Sequence, residues 1–403
     1  MTSPSIPTRT VRAGIDCDTQ HGAVMPPLHL SSNYTFDGLD RPRPFDYTRS
    51  GNPTRSLLAD ALADLEGGAS AVVTSTGMSA IATVLQLVPP GGLVVAAADC
   101  YGGSWRLLDA WARAGRFRLR FWDPASPADL VAALAEGPDL VWIETPSNPL
   151  LRLTDIAAVV ARSGDALVVA DNTFLSPVWQ QPLALGADVV VHSTTKYLNG
   201  HSDVVGGAVI AREAKVGEQL AWWANAMGVT GAPFDSYLTL RGLRTLHARM
   251  PLHAENAVRI AHALEAHPAV SAVHYPGLAS HPDRALAARQ QSAFGAIVAF
   301  ELDGGRETVA RFLAGLEVFT LAESLGGVES LVAHPATMTH AAMSAEARDA
   351  AGIGEGLLRL SVGIEQCEDL LADLERGLAL ATPRRRDPDD ASPASRAVAR
   401  TRA

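Results

Sequence analysis

The chain has 403 residues, 47% apolar and 19% charged, with a formal net charge of -10, enough apolar material for a large core spread over two domains. The acidic balance, with a pI near 5.6, disfavours a nucleic-acid surface, which needs clustered positive charge to replace counterions. No apolar run approaches the roughly 20 residues that cross a bilayer, and residues 1–12 have no signal-peptide core, so neither nucleic acid nor membrane is expected as a partner.

Residues 1–55 are rich in Pro, Ser, Thr and Arg without sustained periodicity, which predicts an extended arm that crosses to a neighbouring subunit. Leu57, Leu58, Ala61, Leu62 and Leu65 then recur at helical spacing until Gly67-Gly68 stops them. They open an α/β domain expected over 56–250. Short apolar runs at 93–97, 140–143, 167–170 and 189–191 read as buried parallel strands. Polar residues close them: Asp99, Glu144, Asp171 and Ser193. Ligands of open α/β sheets bind at the carboxyl ends of strands, so these endings point to one crevice, although each alone suits a strand end meeting water. After Pro251 an Ala-rich helical stretch and strands at 295–302 and 357–362 predict a smaller α+β domain over 251–381. From Thr382 the chain is polar and Pro-containing, which predicts a disordered tail over 382–403. Cys17, Cys100 and Cys367 are widely separated; they form neither a metal knuckle nor a disulfide framework, so no metal is expected and a reducing cytoplasm fits.

Lys196 follows an apolar strand and the hydroxyls of Ser193 and Thr195. A lysine forms an imine with an aldehyde once its surroundings favour the neutral amine, and hydroxyls one and three residues earlier can bond a phosphate. Pyridoxal 5'-phosphate carries both groups; a surface lysine at a strand end is the plainer alternative. Asp171 ends a strand 25 positions earlier, where a carboxylate would pair with the cofactor's pyridine nitrogen or simply cap a turn. Gly77 and Met78 open a helical run, and bare amides at a helix start suit a phosphate; an unliganded turn is equally consistent. Tyr101, before Gly102-Gly103, is free to stack on a flat ring or to pack in the core. Arg359, between Leu358 and Leu360, needs an anionic partner, and its fork fits an amino-acid carboxylate.

Taken together, the segments 47–54, Ser75 to Ala80, Asp99 to Gly103, Ser147-Asn148-Pro149, 169–173, His192 to Asp203 and Phe319 to Ser330 resemble the transsulfuration enzymes, the pyridoxal-phosphate enzymes of cysteine and methionine metabolism. The likeness spans about residues 10 to 380. It implies the aspartate-aminotransferase-like fold (fold type I), with Lys196 as covalent anchor and Asp171 as pyridinium partner. It further implies that Gly77, Met78, Ser193 and Thr195 hold the phosphate, that Tyr101 stacks on the ring, and that Tyr47 and Arg49 reach a neighbour's phosphate site in a homotetramer. Asn148, Ser324 and Arg359 would position the amino-acid substrate; Asp46, Arg106 and Glu323 would lie near its distal end. Trp105 stands where tyrosine is common and Thr48 where serine is common.

The runs at 221–225, 228–231 and 321–330 are similar to the bacterial branch that performs γ-replacement, which implies joining O-succinyl-L-homoserine to L-cysteine to give L-cystathionine and succinate in methionine biosynthesis. Cystathionine γ-lyase chemistry and sulfide-using O-acylhomoserine chemistry share nearly all of these residues. A non-catalytic cofactor-binding regulator is disfavoured, because the arm has no helix-turn-helix pattern and the charge is negative.

Overall fold

The computed structural model describes residues 4–341, 343, 348 and 351–381; the expected disordered tail, 382–403, lies outside the described residues. Two sheets organise the chain. The large one comprises β1 (Ser70–Thr74), β2 (Leu93–Ala97), β3 (Arg118–Trp122), β4 (Leu140–Glu144), β5 (Leu167–Asp171), β6 (Val189–His192) and β7 (Gly207–Ala211) in the order β1-β7-β6-β5-β4-β2-β3. From β3 to β6 every pairing is parallel, while β7 runs antiparallel to both β6 and β1. The smaller sheet comprises β8 (Val270–His274), β9 (Ile297–Leu302), β10 (Thr320–Leu321), β11 (Leu331–Ala333) and β12 (Leu357–Ser361), ordered β10-β11-β12-β9-β8 and largely antiparallel. The expected α/β architecture, a mostly parallel large sheet with a smaller α+β unit, is the one observed.

The four apolar runs form the centre of the large sheet because both of its faces are covered. Val94, Ala96, Trp142, Val169 and Val191 pack in one buried cluster, and Val95, Val141, Ile143, Val168 and Ala170 pack in another. Strands buried on both sides carry apolar residues at every position. Register then fixes the polar endings: Glu144 pairs with Asp171, and Asp171 with Val191.

The helix Pro53–Glu66 shows how local sequence sets an element. Asn52 caps it by accepting from the amides of Thr54 and Arg55, proline takes the first position, and Gly67 ends it at φ 75°; each is the residue its position favours. Leu58, Leu62 and Leu65 are buried and stabilise it by about 2 kcal/mol each.

Three features depart from the sequence reading. The segment 4–52 is not extended throughout: Ile6–Arg12 is helical and packs on the helices Pro53–Glu66 and Leu246–Glu265. The last of these helices continues through Pro251, so the change of character expected there falls inside one element. A proline early in a helix costs one main-chain hydrogen bond, which the packing of this helix on β8, β9 and the helix Cys367–Ala381 offsets. Finally, β1, β3 and β7 complete the large sheet where no strand was expected.

Candidate active site

The carboxyl ends of β4, β5 and β6, the start of the helix Gly77–Val84, and residues before β11 and on β12 converge on a cavity of about 560 Å³. Of the residues singled out from sequence, Gly77, Met78, Tyr101, Arg106, Asn148, Asp171, Ser193, Thr195, Lys196, Glu323, Ser324 and Arg359 line it. Asp46, Tyr47 and Arg49 do not. Tyr47 is 49% exposed, the Arg49 guanidinium lies 5.8 Å from its ring centroid, and Asp46 accepts from its own neighbours, the Tyr47 amide and the Ser50 hydroxyl.

Lys196 lies four residues beyond the end of β6 and donates from Nζ to Ser324 Oγ at 2.7 Å. Its amine is pushed down to about 8, by burial first and by the nearby Arg359 second, with Glu323 acting in opposition. Ser324 sits at φ 88°, in the left-handed region. A serine there is uncommon and is held only where its surroundings impose it; here its carbonyl accepts from Arg359 Nη2 at 2.8 Å while its hydroxyl accepts from Lys196.

Arg359, on β12, is buried, and its other fork nitrogen Nη1 donates to Asn148 Oδ1 at 3.0 Å. Burial lowers its pKa to about 10. Its Nε has no hydrogen-bond partner among the described residues. The guanidinium is thus hydrogen-bonded to neutral oxygens, with Glu323 near enough to favour its charge, and it faces the cavity, which suits a carboxylate ligand.

The opposite wall has the shape and donors of a phosphate and ring site. Thr76 caps the helix Gly77–Val84 through the Ser79 amide. A Cβ on Gly77 would lie 2.9 Å from Ser193 Cβ, so glycine is what lets the helix start close on the Ser193 turn. Thr173 ties that turn down, its hydroxyl accepting from the Ser193 amide at 2.9 Å and its own amide donating to Asp171 Oδ1 at 3.0 Å. The Thr195 hydroxyl exchanges hydrogen bonds with the main chain of Gly206. Burial raises the Asp171 carboxyl, while the Thr173 bonds and the proximity of His192 favour its charged form. The Tyr101 ring lies over Gly103, where a Cβ would come within 2.5 Å of it, and its amide donates to Glu144 Oε2 at 2.7 Å. Tight amides, hydroxyls, a flat ring, a carboxylate and a desolvated amine are the donor set that pyridoxal 5'-phosphate requires.

The sequence reading points Glu144 at the crevice, where it is found, without giving it a role, and it singles out neither Thr173 nor His340; all three line the cavity. His340 is buried, donates from Nε2 to the Asn148 carbonyl at 3.2 Å, and accepts at Nδ1 from the Thr339 hydroxyl. It lies in a segment without periodicity, so nothing in the pattern marks it.

Comparison with known proteins agrees with this geometry. The family model described as Cys/Met metabolism PLP-dependent enzyme matches residues 7–379. The cystathionine gamma-synthase of Escherichia coli (strain K12) is 58% identical over 377 residues, covering 93% of this chain and 98% of that enzyme. The cystathionine beta-lyase of Lactococcus lactis subsp. cremoris (strain MG1363) is 46% identical over 376 residues, covering 93% and 99%. Among solved structures, the cystathionine gamma synthase of Xanthomonas oryzae pv. oryzae, in complex with aminoacrylate and cysteine, superposes with a TM-score of 0.93 at 62% identity, covering 94% of this chain and 99% of that one. The chain therefore belongs to the Cys/Met metabolism family of pyridoxal-phosphate-dependent enzymes, with their fold type I architecture.

Proposed function

We propose that the chain catalyses γ-replacement, joining an O-acylhomoserine, O-succinyl-L-homoserine first, to L-cysteine to give L-cystathionine and succinate. The observation that carries this reading is the cavity itself, where the Lys196 amine, the Ser324–Arg359–Asn148 clamp and the Arg106 and Glu323 side chains face one space. The 58% identity to a cystathionine gamma-synthase supports it.

Pyridoxal 5'-phosphate, when bound, supplies an aldehyde carbon that links to amines and a ring that takes up electron density from the substrate's α-carbon. In this reading Lys196 is its covalent anchor, Asp171 faces the ring nitrogen and Tyr101 stacks on the ring. Gly77, Met78, Ser193 and Thr195 hold the phosphate. Tyr47 and Arg49 are supplied by the arm of a neighbouring subunit, within a dimer or a tetramer. Arg359, oriented by Asn148 and the Ser324 carbonyl, grips the α-carboxylate. Asp46, Arg106 and Glu323 meet the distal end, with Arg106 suited to the free carboxylate of a succinyl group. As a free amine, Lys196 would move the α-proton and then a β-proton. The Cγ–O bond breaks with loss of succinate, the cysteine sulfur loses its proton and forms the Cγ–S bond, and Lys196 would return the protons to the β- and α-carbons. Ser324 Oγ, at 2.7 Å, holds the free amine in place between these transfers.

A second reading, cleavage of cystathionine by γ-elimination, draws support from solved cystathionine gamma-lyases that are 47% and 40% identical over 94% of this chain. The discriminating assay compares cystathionine formed from O-succinyl- or O-acetyl-homoserine plus cysteine with 2-oxobutanoate released from cystathionine alone. Predominant 2-oxobutanoate release would overturn the γ-replacement reading.

A further inference from the structure

Glu144 ends β4 as Asp171 ends β5, and the two are register partners on adjacent parallel strands. Strands in a sheet lie about 4.8 Å apart, and both side chains leave on the same face to line the same cavity. Glu144 is buried. Its Oε2 accepts the Tyr101 amide at 2.7 Å, and the Asn148 main-chain N–H is near enough to favour the charged form of the same carboxyl. One side chain therefore holds the residue whose ring lies over Gly103 beside the residue that orients Arg359.

The charged groups acting on Glu144 are acids. Asp171 approaches from β5 and Asp99 from the loop after β2; Asp99 itself is met by Arg152 and the Ser147 hydroxyl. Burial, then Asp171, then Asp99 drive the Glu144 carboxyl well above the usual carboxylate range against the two amides. Two close buried carboxylates do not both ionise, and they titrate as a pair. Within this pair Asp171 is the member better equipped to carry charge, because the Thr173 amide bonds it and His192 favours its charged form.

We infer that Glu144 is a positioning residue that works as a neutral carboxylic acid, fixing the Tyr101 amide beside Asn148 while retaining the proton of the acid pair, so that Asp171 alone presents a negative charge to the cofactor ring. The inference rests on the proposed roles of Tyr101, Asn148 and Asp171. It does not depend on which acylhomoserine or thiol is used.

The test uses Glu144→Gln, which keeps the accepting oxygen and is neutral at every pH, beside Glu144→Ala, which removes the acceptor of the Tyr101 amide. The dissociation constant of pyridoxal 5'-phosphate, titrated into each apoprotein with no amino acid present, should stay within about twofold of the parent for Glu144→Gln. It should rise about tenfold for Glu144→Ala, the usual consequence of orphaning a buried donor. The KM for the amino-acid substrate should follow the same split. The infrared difference spectrum, parent apoprotein minus Glu144→Gln apoprotein, should show the carbonyl stretch of one protonated carboxylic acid. A tenfold loss of cofactor affinity in Glu144→Gln, or no acid carbonyl band, would show that the ionised form is the one required. An unchanged dissociation constant and KM in Glu144→Ala would remove the positioning role. If Glu144→Ala does not fold, Glu144→Gln and the infrared band still decide. Failure of the parent to perform γ-replacement would sink the proposed function and leave the cofactor titration and the infrared result standing.

Discussion

The strand-end wall of the cavity and the arm of residues 29–52 are built in opposite ways. In the wall, sheet register places Asp171, Ser193 and Glu144 together, and each is then pinned by a main-chain or hydroxyl partner inside the protein. The arm is also ordered, but by local bonds: the Tyr34 amide to the Asp46 carbonyl, the Thr48 amide to the Ser32 carbonyl, and Asn52 to the His29 carbonyl. Its side chains bury little; Leu30 is 67%, Phe36 51% and Leu39 92% exposed. A shaped segment that turns large apolar side chains outward is organised for a surface other than its own core. The wall is thus built from one chain's own sheet, whereas the arm's Asp46, Tyr47 and Arg49 lie away from that cavity and, in the proposed reading, would serve a neighbour's.

The largest effect expected from breaking the wall is at Lys196. Lys196→Ala removes the proposed covalent anchor and proton carrier, so turnover should fall by about 10⁴-fold or more, together with the visible absorbance of the covalently held cofactor. Turnover near the parent level would refute the anchor assignment. Arg359→Ala should come next. Truncating one member of a buried charged contact costs about 2–5 kcal/mol, so kcat/KM should drop about 30- to 5,000-fold, chiefly through KM, with cofactor absorbance retained. An unchanged KM would move carboxylate recognition elsewhere.

These two residues also show what was legible in the sequence. Lys196 is legible only in company, because a strand running into hydroxyls and an amine also fits a surface lysine, and it is the other segments that turn the reading toward a buried amine at a strand end. Arg359 is legible because an arginine amid leucines needs an anion. Ser324 is not legible from pattern alone, since its left-handed backbone and its bond to Lys196 arise from the packing of the loop before β11 against the large sheet. The strands β1, β3 and β7 escaped for physical reasons. The residues of β3, Arg-Leu-Arg-Phe-Trp, belong to an edge strand with one wet side, and β7 begins at glycine and is antiparallel to its neighbours. The helix Leu246–Glu265 escaped in part because its tertiary contacts override the proline that would otherwise stop it.

The comparison between wall and arm is sharpened most directly by mixing. Arg49→Ala should weaken cofactor retention by about 10- to 100-fold, the range for one lost charge-assisted hydrogen bond, while leaving the wall intact. If the arm serves a neighbour, Arg49→Ala and Lys196→Ala chains refolded together, at a cofactor concentration too low to load Arg49→Ala alone, should regain activity, since a hybrid pairs one intact arm with one intact wall. Absence of complementation in demonstrably mixed oligomers, or full activity of a monomer at high dilution, would place Arg49 in its own chain's function and erase the distinction.

The smallest effect concerns the wall's electrostatics. Burial and Arg359 lower the Lys196 amine to about 8, and only the neutral amine attacks an aldehyde. The neutral fraction grows as pH rises and saturates once the pKa is passed. The rate of covalent capture of pyridoxal 5'-phosphate by the apoprotein should therefore climb about tenfold between pH 7 and pH 9 and then level off, whereas a solvent-exposed lysine with a pKa near 10.4 would keep gaining about tenfold per pH unit across that interval. Replacing Arg359 by alanine removes the second cause of the shift, so the bend should move to higher pH while burial keeps it below the exposed value. A capture rate that rises without levelling through pH 10 would mean that the amine is solvated and that the wall does not prepare it.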